Sequence, residues 1–263
     1  MSSDGRAPGR PIRVVVLGSS HTVLVRPRPE PGQPGGTYAA RLVDELHERG
    51  VAAEVVNEGR WFEMVDHISH RWERDVAPRL PDVVVVHVGF VECQPWVVPH
   101  RVHRWALAWD TSLHPLARAA RTATAAPVVR LLGWWTPRWV RLTGGRTWKC
   151  SSARFRAELE RLIARTREEL GAEVLVVGMA PKPTGWLLEL MPDLDDRMAR
   201  YGALLADVVR ARGDDGVRLV DVGPIHDRLG AGAAPDGIHL SAAAHRDLAQ
   251  QLAEAIAPAG ETP

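Results

Sequence analysis

Residues 14–17 form an apolar, β-branched run that stops at Gly18, Ser19 and Ser20. Such a run is typical of a strand that is buried on both faces, as in a parallel sheet covered by helices. In an open parallel sheet, ligands bind at the carboxyl ends of the strands. The sequence therefore predicts hydroxyl groups at the edge of the sheet where binding sites form. A hydroxyl can act there as a nucleophile if a base takes its proton.

Apolar strand patterns alternate with helical patterns along most of the chain. Strands are predicted at residues 14–17, 53–57, 83–88, 173–177 and 217–222, and helices at 37–50, 62–76, 152–170, 194–212 and 241–257. Ser241 is the expected N-cap of the last helix. This alternation predicts right-handed βαβ units, hence an α/β protein with a parallel sheet between two layers of helices. We expect a single domain over residues 11–258 between short tails, 1–10 and 259–263.

Residues 95–151 do not follow this alternation of strands and helices and form a Trp-rich insertion. The pattern there predicts a helix over 101–125 and an irregular segment over 127–150, in which 127–132 is an extra strand or part of a lid. Two interpretations of the tryptophans stay open: they are buried core, or they cover a bound acyl chain, a sugar ring or a partner surface. Seven of the ten tryptophans lie in this insertion: Trp96, Trp105, Trp109, Trp134, Trp135, Trp139 and Trp148.

Composition excludes several function classes. A net charge of +1 gives no general attraction to nucleic acid or to an anionic membrane, and the aromatic residues follow no nucleic-acid-binding pattern. No apolar run reaches the roughly 18 residues that span a bilayer, and residues 1–10 lack the apolar core of a signal peptide. Two cysteines, Cys93 and Cys150, are too few for a disulfide framework. We therefore expect reduced thiols in a cytoplasmic protein.

A base for the hydroxyl groups is found near the other end of the chain. Residues 235–240 read Pro-Asp-Gly-Ile-His-Leu, and the spacing lets Asp236 and His239 share one short turn. There the carboxylate can orient the imidazole that accepts a serine proton. In the alternative interpretation, Ser19 and Ser20 only cap a helix or bind an anion at the turn.

Taken in chain order, these motifs resemble the SGNH, or GDSL-type, hydrolase superfamily, in which a serine follows the first strand and Asp-x-x-His precedes the last helix. The resemblance implies a flavodoxin-like parallel sheet with Ser20 as the nucleophile, Asp236 as the acid and His239 as the base. Ser19 stands where the family usually has aspartate. Residues 55–59 match the block whose glycine, here Gly59, donates a backbone N–H to the oxyanion.

Residues 88–92, Val-Gly-Phe-Val-Glu, match the family's Gly-x-Asn-Asp block imperfectly. Val91 replaces the oxyanion asparagine, so the backbone N–H groups of Ser20 and Gly59 are the expected donors. Asn57 is a weaker third donor, and its alternative role is to end the second strand. Glu92 either shapes specificity or is a structural carboxylate paired with an arginine. The predicted substrate contacts are Ser19, His21, Phe90, Glu92 and Cys93.

The resemblance implies a serine hydrolase that cleaves an ester through an acyl-enzyme on Ser20 and needs no cofactor. The expected substrate is a small-molecule ester or an acylated glycan, with O-acetyl or other O-acyl groups on a sugar or secondary metabolite as a class given by analogy. One alternative is an acyltransferase that uses the same acyl-enzyme, and another is a catalytically weak binding module that retains the fold. The oligomeric state stays open.

Metal binding is the competing chemistry. Histidines three residues apart can place two imidazoles on one helix face, but nothing in the sequence completes a ligand set, so no metal site is predicted. Three aspartates near residue 194 lack the pattern of a calcium loop and are interpreted as a helix N-terminus with favourable negative charge. The residues concerned are His67, His70, His100, His103, Asp193, Asp195 and Asp196.

Overall fold

Five parallel strands form the centre of the computed structural model, which describes residues 10–26, 36–94, 150–179, 191–213 and 216–257 and nine single positions between 127 and 188. The strands are Ile12–Gly18 (β1), Ala53–Asn57 (β2), Val83–His87 (β3), Glu173–Val177 (β4) and Val217–Val220 (β5). They pair in the order β2-β1-β3-β4-β5, and every pair is parallel. This order is that of a flavodoxin-like sheet, so the predicted fold class is confirmed.

Helices connect the strands and cover both faces of the sheet. In the described residues they are Ser20–Val23 (α1), Tyr38–Glu48 (α2), Val65–Asp75 (α3), Phe90–Cys93 (α4), Ser152–Leu170 (α5), Leu194–Ala211 (α6), Gly223–Leu229 (α7) and Ala242–Ile256 (α8), with 3-10 turns at Ala77–Arg79 and Gly230–Ala233. None of these described helices has both the length and the apolar composition that crossing a bilayer requires.

The β-branched strands are buried on both faces, as their composition predicts. Successive strand side chains point to opposite faces, so the odd and even residues of β1 enter two different cores. Val15 and Leu17 pack into the core beneath α3, α5 and α6. Val14 and Val16 pack into the core beneath α2 and α8. The three layers therefore follow from one short apolar run between two sets of amphipathic helices.

The sheet reverses its strand order between β1 and β3, which is where an open parallel sheet opens a crevice for ligands. Gly18 lies beside His87 in the register of these two strands. A Cβ at Gly18 would lie 2.4 Å from the carbonyl oxygen of His87, so a side chain cannot fit between the strand ends. Ser19 and Ser20 leave the sheet at this crevice, immediately after β1.

Most predicted elements match the structure, and the differences are local. The elements at 53–57, 152–170 and 173–177 agree at both ends, and Ser241 caps α8 by accepting a hydrogen bond from the Ala244 N–H. The short helices α1, α4 and α7 were not predicted because four to seven residues are too few to show helical periodicity. The predicted helix at 101–125, residues 1–9 of the first tail and the whole of the second tail lie outside the described residues.

Within the Trp-rich insertion, the structure describes eight positions between 127 and 142, together with Cys150 and Ser151 at its end. Pro127, Val128 and Leu131 are helical, so the prediction of an extra strand at 127–132 is wrong. The spacing of apolar residues there is compatible with a helix as well as a strand, and a short run does not distinguish the two. Trp134, Trp135 and Trp139 are exposed, which makes the buried-core interpretation wrong for these three side chains.

Candidate active site

Ser20, His239 and Asp236 meet at the crevice between β1 and β3. Ser20 is the first residue of α1, directly after the turn that ends β1. Its Oγ lies 3.1 Å from Nε2 of His239, and Nδ1 of His239 lies 2.7 Å from Oδ2 of Asp236. A hydroxyl, an imidazole and a carboxylate joined in this order form the constellation of a catalytic triad. The structure thus brings together the three residues that the sequence proposed, although Ser20 and His239 are 219 positions apart.

Asp236 is held as an ionised acceptor by the turn that carries it. Its Oδ1 accepts hydrogen bonds from the backbone N–H groups of Ile238 at 3.0 Å and His239 at 2.7 Å. Partial burial raises the pKa of Asp236, but the hydrogen bonds from the His239 ring and these two N–H groups outweigh it, so the pKa lies below its ordinary value. An ionised Asp236 accepts the Nδ1–H of His239 and leaves Nε2 free to accept the Ser20 proton.

The expected oxyanion donors differ in whether their N–H groups already have a hydrogen-bond acceptor. Ser20 N–H opens α1, and the first N–H groups of a helix have no acceptor within the helix. Gly59 N–H instead donates to Oδ1 of Asn57 at 3.0 Å, while Nδ2 of Asn57 donates to the Thr22 carbonyl at 2.8 Å. Asn57 therefore ties the end of β2 to α1, and both ends of its amide are engaged. Val91 is buried and has no side-chain donor.

Gly59 N–H and the Asn57 amide both have partners within the protein here, and their role as oxyanion donors stays a prediction. A polar side chain at the end of a strand readily bonds to the backbone two residues ahead, which forms a local turn. The interpretation that Asn57 ends the second strand is the one the structure favours, since Asn57 is the last residue of β2. In this geometry Ser20 N–H is the donor that remains available.

His21 joins the two turns of the site. It is buried, its Nε2 lies 2.9 Å from the Ile238 carbonyl oxygen, and its Nδ1 lies 3.3 Å from Oγ of Ser19. Because a carbonyl oxygen only accepts, Nε2 carries the proton and Nδ1 accepts from Ser19. Burial, and to a lesser extent the nearby charge of His239, lowers the pKa of His21 to about 3. A neutral His21 thus fixes the Ser19 turn against the peptide that precedes His239.

A narrow cleft, too tight to hold a water molecule, lies beside this constellation. Ser19, His21 and Phe90, three of the predicted substrate contacts, line it together with His87, Val88 and Met179. The sequence analysis missed the last three. His87 carried a signal, as the single polar side chain in an otherwise apolar strand, whereas Met179 could have been found only from its place just after β4.

Further buried polar groups stabilise the walls of this cleft. The hydroxyl of Tyr38 lies 3.2 Å from Nδ1 of His87, and the Tyr38 N–H donates to Nδ1 of His245 at 3.0 Å. Nε2 of His245 lies 3.0 Å from the Leu24 carbonyl oxygen. Burial lowers the pKa of His245 to about 4 and that of His87 well below its ordinary value. These neutral imidazoles connect β3, α2 and α8 behind the site.

Glu92 and Cys93 do not line the cleft, in contrast to the prediction. Both are fully buried. The two oxygens of Glu92 accept N–H groups from Val65 at 2.8 Å and Gly89 at 2.9 Å, and Sγ of Cys93 lies 3.2 Å from the Phe90 carbonyl oxygen. Glu92 is a structural carboxylate, but its partners are backbone groups and not an arginine. Burial raises its pKa to about 7 against the opposing effect of these N–H donors.

Neither the described histidines nor the aspartates assemble a metal site. In the part of the chain that the structure describes, no three His, Cys, Asp or Glu side chains converge on one point. His100 and His103 lie outside that part. Asp193 is the N-cap of α6 and Asp195 and Asp196 stand in its first turn, which confirms their interpretation as a helix N-terminus. Cys93 and Cys150 are both free thiols.

A parallel sheet with a serine, a histidine and an aspartate at its switch point defines the serine hydrolase class of α/β enzymes. The chain belongs to the GDSL-like lipase/acylhydrolase family, whose model matches residues 16–246. The resemblance to SGNH, or GDSL-type, hydrolases is thereby confirmed, and the chain is a carboxylic ester hydrolase by class. A Ser-His-Asp triad is typical of this family.

Several solved structures share this fold. Axe2, an acetylxylan esterase from Geobacillus stearothermophilus, has a TM-score of 0.58 and 18% identity over 92% of each chain. LAE5, an enzyme from the metagenome of Lake Arreo, Spain, has a TM-score of 0.58 and 22% identity over 95% of this chain and 97% of its own. The acetyl xylan esterase AlAXEase has a TM-score of 0.57 and 16% identity over 93% and 100%. A comparison with curated proteins found no match.

Proposed function

We propose that the protein hydrolyses an ester through an acyl-enzyme on Ser20. The observation that carries the proposal is the continuous contact from Oγ of Ser20 through the ring of His239 to Asp236, at 3.1 and 2.7 Å. A serine hydroxyl is a poor nucleophile at neutral pH, and an adjacent base that is oriented by a carboxylate removes this limitation.

In the first half of the reaction, Oγ of Ser20 attacks the carbonyl carbon of the ester while Nε2 of His239 takes the hydroxyl proton. The carbonyl oxygen becomes an oxyanion, and the Ser20 N–H donates to it. The bond to the leaving alcohol then breaks, and His239 gives its proton to that oxygen. Asp236 stabilises the imidazolium that exists between the two proton transfers.

In the second half, water takes the place of the alcohol. His239 removes a proton from water as the water oxygen attacks the acyl carbon, and the same proton returns to Oγ when the bond to Ser20 breaks. The products are a carboxylic acid and the free enzyme. If an alcohol or amine enters instead of water, the same steps transfer the acyl group to it, and the enzyme acts as an acyltransferase.

The cleft beside Ser20 is narrow, so an acyl group that enters it has to be small and has to move the lining side chains apart. Its walls are the apolar side chains of Val88, Phe90 and Met179 and the neutral rings of His21 and His87. An acetyl or other short acyl group gains from contact with such walls, whereas a charged group loses its hydration there. O-acetyl groups on a sugar or a secondary metabolite are the proposed substrates, in keeping with the acetylxylan esterases that share the fold.

Hydrolysis of p-nitrophenyl acetate and p-nitrophenyl octanoate by purified variants tests the proposal. We expect the acetate to be the better substrate, and Ser20→Ala to lower kcat by several orders of magnitude because triad members act as a unit. Ser19→Ala is the matched control and keeps most of the activity. Activity that survives in Ser20→Ala but not in Ser19→Ala contradicts the assignment. Analysis of products with added glycerol distinguishes hydrolysis from acyl transfer.

A further inference from the structure

His87 carries a buried hydrogen-bonding group that the proposed catalysis does not use. The residue is only 4% exposed, and it lines the cleft beside Ser20. Its Nδ1 lies 3.2 Å from the hydroxyl of Tyr38 in α2. Its Nε2 has no partner among the described residues and is not one of the described atoms that are cut off from solvent. One ring nitrogen is therefore engaged inside the protein, and the other is open to a ligand.

The Tyr38 hydroxyl determines which nitrogen of His87 carries the proton. Burial lowers the pKa of His87 well below its ordinary value, so the ring is neutral and has one N–H. Tyr38 is fully buried, and among the described residues its hydroxyl contacts His87 alone. A proton on Nδ1 would leave the hydroxyl hydrogen without an acceptor, which is costly for a buried group. The hydroxyl therefore donates to Nδ1, and Nε2 of His87 is a donor.

The position of His87 in the fold brings this donor close to the triad. His87 is the last residue of β3 and lies beside Gly18, two residues before Ser20. The ring centre of His21 lies 5.0 Å from that of His87 and 5.8 Å from that of His239. The donor thus lies one ring beyond His21, in the wall of the cleft that the acyl group is proposed to enter.

We propose that the Nε2–H of His87 donates a hydrogen bond to an oxygen that the acyl group carries next to its carbonyl carbon. The preferred acyl group is then an acetyl group with one further oxygen, such as hydroxyacetyl or methoxyacetyl. Water reaches Nε2 but has no room in the cleft, so an entering acyl group has to replace water as the acceptor. An acyl oxygen does so, whereas a methylene leaves the N–H unpaired. The inference rests on the proposed ester hydrolysis and specifies its acyl group.

Other ligands fit this donor less well. A metal ion needs a lone pair on Nε2, where the hydrogen bond from Tyr38 leaves a proton. The nearest other imidazole, that of His21, directs its Nε2 to the Ile238 carbonyl oxygen. An acyl group with a second carboxylate would lose its hydration, because the described residues that line the cleft include no lysine or arginine. A neutral oxygen meets neither obstacle.

Two esters of equal size test this inference. The acyl groups of p-nitrophenyl methoxyacetate and p-nitrophenyl butanoate have the same number of non-hydrogen atoms and differ by an oxygen in place of a methylene. We expect His87→Phe to lower the ratio of their kcat/KM values, methoxyacetate over butanoate, at least about tenfold, the factor that one buried hydrogen bond is worth. The difference in intrinsic reactivity cancels, because both enzymes act on the same two esters.

Further variants separate recognition from a purely structural role. His87→Gln keeps an N–H donor and should restore part of the ratio. His87→Phe combined with Tyr38→Phe leaves no unpaired hydroxyl, and its ratio should equal that of His87→Phe alone. His245→Gln is the matched control, because His245 belongs to the same buried network and is not among the described lining residues of the cleft. A structural role would lower kcat/KM for both esters and leave the ratio unchanged.

A binding measurement on Ser20→Ala separates this inference from the proposed catalysis. Ethyl methoxyacetate should bind at least about tenfold more tightly than ethyl butanoate and should shift the Nε2–H signal of His87 in NMR spectra. Equal ratios for the unaltered chain and His87→Phe, or a ring proton found on Nδ1, would overturn the inference. Selective binding without hydrolysis of any ester would reject the proposed catalysis and retain the role of His87. The absence of both hydrolysis and selective binding would reject both.

Discussion

The substitution Gly59→Ala should damage both the stability of the fold and the turn that carries Ser20. A Cβ built on Gly59 lies 1.7 Å from Oγ1 and 2.7 Å from Cβ of Thr22. Thr22 is fully buried, and its Oγ1 donates to the Ser19 carbonyl at 2.8 Å. The alanine therefore cannot be accommodated unless the Thr22 side chain moves and this hydrogen bond breaks.

The expected cost is the sum of two terms. Forcing an extra carbon into a packed site costs about 1–3 kcal/mol, and the loss of a buried hydrogen bond adds about 1 kcal/mol. For a chain of this size, each kcal/mol lowers Tm by about 2–4 °C. The value of kcat should fall together with stability, because the displaced Thr22 lies in α1, only two residues after Ser20.

Urea unfolding and ester hydrolysis measure the two effects. Gly232→Ala is the matched control, since no atom lies within 4 Å of a Cβ at that glycine, and we expect it to be nearly neutral. In a Thr22→Ala background, Gly59→Ala should cost at least about 1 kcal/mol less, because the closest atom has been removed. If Gly59→Ala is as stable and as active as Gly232→Ala, the contact between Gly59 and Thr22 does not have the role given to it.

Three further predictions concern other contacts of the site. Asp236→Asn should lower kcat by orders of magnitude. Adding it to His239→Ala should lower kcat little further, because the two residues act as a unit in proton transfer, and additive losses would mean that they have separate roles. Glu92→Gln should lower the unfolding free energy by about 1–3 kcal/mol in urea, because its amide N–H₂ would face a backbone donor, and an unchanged midpoint would contradict this. The pKa of His21 is lowered to about 3 in the folded chain, against an ordinary value of 6.5, so the unfolded chain binds the extra proton first and the unfolding free energy should fall as pH drops from about 6.5 towards 4. His21→Gln retains a donor for the Ile238 carbonyl, and its unfolding free energy in urea should change less with pH across this range. An equal dependence on pH would refute the assignment.

The triad and the sheet could be predicted from the sequence because they leave local signals. The run before Gly18 marks a strand buried on both faces, and the spacing of Asp236 and His239 is visible without any knowledge of the fold. Their meeting with Ser20 was expected from the resemblance to SGNH hydrolases, because Asp236 and His239 follow α7 and a 3-10 turn and do not end a strand.

The contacts that the sequence analysis missed are formed by backbone groups or by residues far apart in the chain. Nothing in the sequence indicates that Glu92 accepts the N–H of Val65, which comes 27 residues earlier. The bond between Gly59 and Asn57 depends on the path of a loop, and Met179 reaches the cleft only because β4 lies beside β3. Such contacts depend on the packed fold, and neither residue spacing nor composition in the sequence indicates them.

Reaction with a fluorophosphonate probe, followed by mass mapping of the labelled peptide, tests the central claim most directly. Such probes react with a serine that a neighbouring base activates, which is the property assigned to Ser20. We predict a single adduct on Ser20 in the unaltered chain, no adduct in Ser20→Ala, and greatly slowed labelling in His239→Ala. An adduct on Ser19, or labelling that does not depend on His239, would contradict the account.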